Sequence, residues 1–405
     1  MRIGVDATSW TNRRGFGRFT RNVVPRLVEQ HPDAEYVLYV DEETRREASL
    51  PPGARQRPVR LSEAPTRAAA AGSSRSLRDL LRLGAAARAE RLDAFLFPSV
   101  YTFFPVIGVP TVVGIHDAIT HELPGLTLAS RRDRLAWRAK ETFALRTAAA
   151  IFTVSEASRT ALAERFGLRP EKVQVVPEAP DEVFFPRSQD AVEATRRDVG
   201  LAPGEPYFAF AGGISPHKNV ETLLRAYATL ASSRDGVPRL VVVGDLEADP
   251  YLSSTRSVRA LIASLGLEPS VLLPGYVEDE TLAALYSGAA AVVIPSLAEG
   301  FGLPAIEGAA CGAPMVLSDL PAHRETMDGA AVFFPPRDAS TLAAALAAVL
   351  DDPEHTRRVA ERGRERAQGR SWDAAVEPLR ELVVAAAGAG SPRAGRRRVL
   401  AETGR

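Results

Sequence analysis

The chain has 405 residues, 45% hydrophobic and 25% charged, which describes a folded protein of two domains and excludes a disordered or fibrous one. Its single cysteine, Cys311, excludes an intrachain disulfide framework and a cysteine-based zinc cluster, and fits a reducing cytoplasm. The formal net charge of zero hides a split, with 28 Lys+Arg against 22 Asp+Glu in residues 1–187, 17 against 27 in residues 188–388, and 5 against 1 in residues 389–405.

Short runs rich in Val, Ile and Phe recur along the chain, separated by stretches with helical spacing. In the first half they predict strands at 3–7, 36–40, 94–97, 111–115, 151–154 and 173–176, with helices at 17–30, 76–91, 130–145 and 156–165. In the second half they predict strands at 207–211, 240–243, 271–273, 291–294, 314–317 and 331–333. The helices between these fall near 220–231, 257–265, 279–287, 304–311 and 340–350. Continuous apolar strands alternating with helices imply an α/β protein with two doubly wound parallel sheets, each covered on both faces.

Two segments interrupt the alternation. The Pro-, Ala- and Arg-rich stretch 51–72 reads as a mobile loop, and 185–204, with Pro186, Pro203 and Gly204, as the linker between domains, with room for a short helix. The predicted division is 1–187, 188–370, a terminal helix 371–388 and a disordered basic tail 389–405. The start MRIGVDATSW runs into a strand, and no run of about 18 apolar residues occurs. That predicts a cytoplasmic protein, neither exported by a signal peptide nor membrane-spanning. The acidic second half argues against nucleic-acid binding. The basic first half suits an anionic acceptor or a peripheral contact with the inner membrane face, or is a scattered solvated surface.

In open α/β sheets, ligands sit beyond the carboxyl ends of strands. The loop Ala211–Asn219, AGGISPHKN, follows a predicted strand. Gly212 and Gly213 permit close backbone approach, and Lys218 supplies a cation for a diphosphate. Lysine occurs at only three positions and asparagine at only three, so the pair Lys218-Asn219 stands out. Taken alone, the loop also fits an ordinary strand-to-helix turn. The segment Glu299–Glu307, EGFGLPAIE, follows another strand, and Pro304 suits a first helical turn. Free N–H groups at Phe301–Leu303 and the helix dipole favour an anion, while Glu299 and Glu307 suit sugar hydroxyls. Helix capping by Glu299, with a solvated Glu307, is the plainer alternative.

In this order, these elements resemble retaining glycosyltransferase family 4, whose members have the GT-B fold of two Rossmann-like domains facing across a cleft. The resemblance extends to VDATSWTNRRGFGRFTRNVV, VPTVVGIHDAITHELPG, VSEASRTAL, LPGYVEDETLAALYSGA and Ser371-Trp372. It implies a hexosyl transferase of mannosyl, rhamnosyl or glucosyl type using a GDP-, UDP- or dTDP-linked donor. The acceptor would be a glycan, a lipid-linked glycan or a small molecule, as in polysaccharide biosynthesis, with no cofactor.

The resemblance makes Glu307 the ribose partner and Glu299 a partner of the transferred sugar. Lys218 would bind the diphosphate with the amides of Phe301, Gly302 and Leu303. Gly15 and Gly17 would let the first loop approach the phosphates, Val277 would flank the base, and His116 would contact the sugar. A structural histidine is the alternative for His116.

Two positions depart from the family pattern. Gly213 stands where many members carry an arginine, so Ser215, backbone amides or an arginine from elsewhere must compensate. Glu178-Ala179 stands where Asn-Gly is usual. The donor half has no Asp-x-Asp, which implies metal-independent transfer.

Three other readings compete. A sugar phosphorylase or nucleotide-sugar epimerase shares the architecture, though pyridoxal chemistry needs a dedicated lysine. A nicotinamide-dependent dehydrogenase would need G-x-G-x-x-G after a strand with an acidic residue about 20 further on, which is absent. A catalytically inactive partner subunit remains compatible with the missing arginine.

Overall fold

The computed structural model describes residues 1–62, 76–128, 130–245 and 254–389. The chain divides into two compact units. The first takes residues 1–118, 128–178 and the chain from Trp372 on; the second takes 119–127 and 179–371.

The first unit holds a sheet of seven parallel strands: β1 Arg2–Asp6, β2 Glu35–Val40, β3 Ala54–Pro58, β4 Ala94–Phe97, β5 Thr111–Gly114, β6 Ala150–Thr153 and β7 Val173–Val175. Their order is β3-β2-β1-β4-β5-β6-β7, so the strand order reverses beside β1 and β4. β4 and β5 are buried at every residue, as parallel strands covered on both faces must be. Helices Gly15–Gln30 and Asp373–Ala389 pack together, and Trp372 meets Phe19 edge-on with ring centroids 6.0 Å apart.

β3 corrects the reading of 51–72 as a mobile loop over its described part. Arg55-Gln56-Arg57-Pro58 is polar enough to look like a loop, yet pairs along its length with β2 at the sheet edge, where charge and proline are tolerated. Residues 63–72 of that segment, and the tail from 390, lie outside the described residues.

The second unit holds six parallel strands: β8 Tyr207–Ala211, β9 Arg239–Val243, β10 Val271–Gly275, β11 Ala291–Ile294, β12 Met315–Ser318 and β13 Val332–Phe334. Their order is β10-β9-β8-β11-β12-β13, reversing between β8 and β11. Phe208, Phe210, Leu223, Leu240, Val293 and Leu346 lie fully buried in one cluster, each worth about 1.5–3 kcal/mol of burial. The short helix within 185–204 is Gln189–Asp198, part of this unit, its Ser188 side chain accepting from Ala191 N–H. Helices Ile119–Glu122 and Pro124–Thr127 also belong here, the latter beside the turn Pro216–Lys218. Among the described residues, no helix is long and apolar enough to cross a membrane.

Candidate functional site

The second unit places the two chemistry-bearing loops side by side, because β8 and β11 are neighbours at the reversal of strand order. Leu297 N–H donates to the His217 carbonyl at 2.8 Å, joining loop to loop. Asn219 fastens a third. Its Nδ2 donates to the carbonyls of Pro295 (2.9 Å) and Pro336 (2.7 Å), and its Oδ1 accepts from Thr222 Oγ1 at 2.7 Å. Asn219 is left-handed, with φ of 59°, a conformation asparagine tolerates better than branched residues.

Lys218 is thereby aimed at Glu299, with Nζ 2.7 Å from Oε1, and Ser296 Oγ donates to the same oxygen at 2.6 Å. Burial opposes the Glu299 charge, but Lys218, His323 and these hydrogen bonds outweigh it and hold the carboxyl down at about 2. Glu299 is an anion at any physiological pH.

Helix Leu303–Ala310 starts immediately after, with Gly302 as its N-cap at φ of 90°. A side chain there would be strained, and a Cβ would sit 3.0 Å from Cδ2 of His323. Its first N–H groups have no side-chain cap. Glu307 lies on this helix and is buried, close enough to Cys311 to help raise the thiol pKa after burial itself. Gly212 and Gly213 are half-buried, Ser215 is buried with Oγ 3.2 Å from His217 Nδ1, and half-buried Val277 follows β10.

Two neighbours of this loop carried no signal in the sequence. His323, on helix Pro321–Met327, is fully buried; Nδ1 lies 2.8 Å from the Ser318 carbonyl, which only accepts, so Nδ1 carries the proton. Burial lowers its pKa, with Glu299 opposing, and Nε2 has no hydrogen-bond partner among the described residues. Arg370 lies over the Phe301 ring at 5.2 Å and makes no ion pair among the described residues. Only the fold locates either of them.

The remaining expected residues belong to the first unit. His116 follows β5 and is buried, its ring edge-on to Phe19 at 4.9 Å. Its Nε2 lies 2.8 Å from the Pro98 carbonyl and so carries the proton. Glu178, at 3.8 Å from Nδ1, is beyond hydrogen-bond reach, so burial decides and pushes the pKa down to about 4. Gly15 begins helix Gly15–Gln30 and is exposed. Gly17 has a local reason to be glycine: a Cβ would lie 2.0 Å from the Asn12 carbonyl oxygen of its own loop.

Two parallel sheets, each reversing its strand order at a switch point, describe an α/β protein of GT-B type. Comparison with known proteins agrees. The family model Glycosyltransferase Family 4 matches residues 13–182, and Glycosyl transferases group 1 matches residues 191–366. The chain belongs to this glycosyltransferase family.

It is 34% identical over 271 residues to the MMP alpha-(1->4)-mannosyltransferase of Mycolicibacterium hassiacum, covering 64% of this chain and 61% of that protein. The chain thus spans about three-fifths of that relative's length. Among solved structures it resembles sucrose-phosphate synthase from Thermosynechococcus elongatus, with a TM-score of 0.74, 21% identity, and 94% and 98% of the two chains covered. It also resembles Anabaena HepE in complex with UDP-glucose, with a TM-score of 0.73, 18% identity, and 95% and 100% covered.

Proposed function

We propose that this protein is a retaining, metal-independent glycosyltransferase that moves a hexosyl group from a nucleotide-diphosphate sugar to an acceptor hydroxyl. The observation that carries the reading is the Lys218–Glu299–Ser296 constellation beside the uncapped start of helix Leu303–Ala310, at the switch point of the second sheet. In this reading the amides of Phe301–Leu303 and the Lys218 ammonium receive the diphosphate, whose charge grows as the sugar–phosphate bond breaks. The leaving phosphate takes the acceptor's proton, so no protein base is required. Glu299, fixed through Oε1, offers its other oxygen to a sugar hydroxyl, and Glu307 receives the ribose. Gly212, Gly213, Ser215 and Val277 line the donor.

Gly213 removes the arginine usual in the family, and we assign its role to Arg370, which is seated on Phe301, feels the Glu325 charge and makes no ion pair among the described residues. A relative that is a mannosyltransferase and a structural neighbour holding UDP-glucose support a mannosyl or glucosyl donor; to this reading we add a glycan or lipid-linked acceptor. The test is a thermal-shift screen of nucleotide diphosphates and their sugars, followed by nucleotide release with and without acceptor. Stabilisation by one diphosphate names the base. No stabilisation by any of them overturns the reading.

A further inference from the structure

Helix Arg131–Thr147 of the first unit is anchored on one side only. Trp137, Glu141 and Ala144 are buried, Trp137 packs 4.8 Å from the Tyr101 ring, and Lys140 Nζ reaches the Tyr101 carbonyl at 3.1 Å. Half a turn away, two adjacent stripes at helical spacing face outward. One is Arg131, Leu135, Arg138, Thr142 and Arg146; the other is Arg132, Ala136, Ala139, Phe143 and Thr147, and all ten residues are exposed.

Leu135 is 71% and Phe143 46% exposed, unusual for large apolar side chains. Neither carboxylate of the helix reaches this face, because Asp133 is engaged with Ser130 in the capping box and Glu141 is buried. Arg131, Arg132, Arg138 and Arg146 form no ion pair among the described residues, whereas Arg55, Arg234, Arg324 and Arg380 do.

We propose that this face of helix Arg131–Thr147 docks the protein on an anionic phospholipid surface, Leu135 and Phe143 entering the acyl boundary and the four arginines meeting lipid phosphates. The two apolar side chains are eight residues apart, about 12 Å along the axis, so both reach the same plane with the helix lying flat. A polyanion such as nucleic acid would satisfy the arginines but leave Leu135 and Phe143 in water; a lipid headgroup layer satisfies both. The inference goes beyond the donor reading and does not rest on it.

The test is flotation of the full-length protein with phosphatidylcholine vesicles and with phosphatidylcholine–phosphatidylglycerol vesicles, in low and high salt. The wild type is expected to float with the anionic vesicles only. Arg132→Gln/Arg138→Gln should weaken binding roughly 30-fold, at about a factor of five per surface cation. Leu135→Ser/Phe143→Ser should weaken it roughly 10-fold or more at unchanged charge. All four positions are exposed, so melting temperatures should match the wild type. Wild-type protein that stays unbound, or variants that float as well as wild type, overturn the proposal. Loss on arginine replacement with none on apolar replacement also overturns it, in favour of a polyanion partner. Nucleotide binding is measured on the same preparations, so failure here is separate from failure of the donor reading.

Discussion

Lys218 Nζ and Glu299 Oε1 lie 2.7 Å apart although 81 residues separate them in sequence, and the carboxylate is almost wholly withdrawn from solvent. The pair holds the two switch-point loops in register before any ligand arrives. Lys218 is therefore both a structural tie and a candidate ligand for the diphosphate, and replacing it tests both roles.

Lys218→Ala should lower turnover on the order of 10²–10³, the scale for losing one preorganised stabilising donor, and more than it raises the Michaelis constant. It should also destabilise the second unit by roughly 1–3 kcal/mol, since Glu299 keeps its burial and loses its cation. Lys218→Arg should recover stability better than turnover, a planar fork being a poor substitute for a compact ammonium. Initial rates with and without EDTA, beside urea denaturation, separate the effects. Wild-type activity abolished by EDTA would refute metal-independent transfer.

Glu299→Gln keeps the shape and removes the charge, so it should impair transfer from intact sugar donor while sparing affinity for the bare diphosphate. Glu307→Ala should weaken the bare diphosphate as well, by roughly 1.5–3 kcal/mol for a hydrogen bond to a charged acceptor. Isothermal titration with each ligand checks the division of roles; equal losses in both variants would refute it.

Asn219 supports the site without facing a ligand. Asn219→Ala loses three hydrogen bonds and strains the left-handed backbone, and should cost about 2–4 kcal/mol. Asn219→Gly loses the same bonds without the strain and should cost roughly 1 kcal/mol less. Equal destabilisation in urea melts would show that the left-handed conformation carries no cost.

His116 gives the fold a pH signature. Its folded pKa is depressed to about 4 from an ordinary 6.5, so the unfolded chain takes up the proton first as pH falls. Its contribution is complete above about 6.5 and lost progressively down to about 4, for a total of roughly 3 kcal/mol. Glu299, depressed from 4.5 to about 2, adds its own loss only below about 4.5. Denaturation midpoints should therefore fall between pH 6.5 and 4.5 in the wild type and stay flatter in His116→Gln. Parallel curves would mean that another group controls this range.

Buried strands were legible because a strand covered on both faces is a continuous apolar run: Val292-Val293 and Phe95-Leu96-Phe97 announce themselves. The edge strand Ala54–Pro58 was not, since its arginines face water. Nor was helix Pro353–Gln368, whose buried face of Thr356, Val359, Gly363 and Ala367 is small and only weakly apolar among its many Arg and Glu. Lys218, Glu299 and Gly302 were legible as parts of Gly-rich loops after strands. His323 and Arg370 were not, because each reaches the loop from a distant element through packing that no local spacing records.

The role given to Arg370 yields a prediction that a single substitution could not settle. If Arg370 provides the second cation at the diphosphate, Arg370→Gln should weaken diphosphate affinity about 10-fold, the lower end for losing one charge-assisted hydrogen bond. The loss could instead come from disturbing the Phe301 ring, whose backbone amide belongs to the same loop. Restoring a cation from the other side separates these causes. The backbone at Gly213 is not left-handed, so Gly213→Arg meets no conformational strain there. In the Arg370→Gln background it should recover most of the lost affinity, while in the wild type it should add little, because one cation already serves. Titration of the four proteins with UDP and GDP completes the cycle. Additive effects in that cycle, with Gly213→Arg helping both backgrounds equally, would remove Arg370 from the donor site and leave it as packing on Phe301.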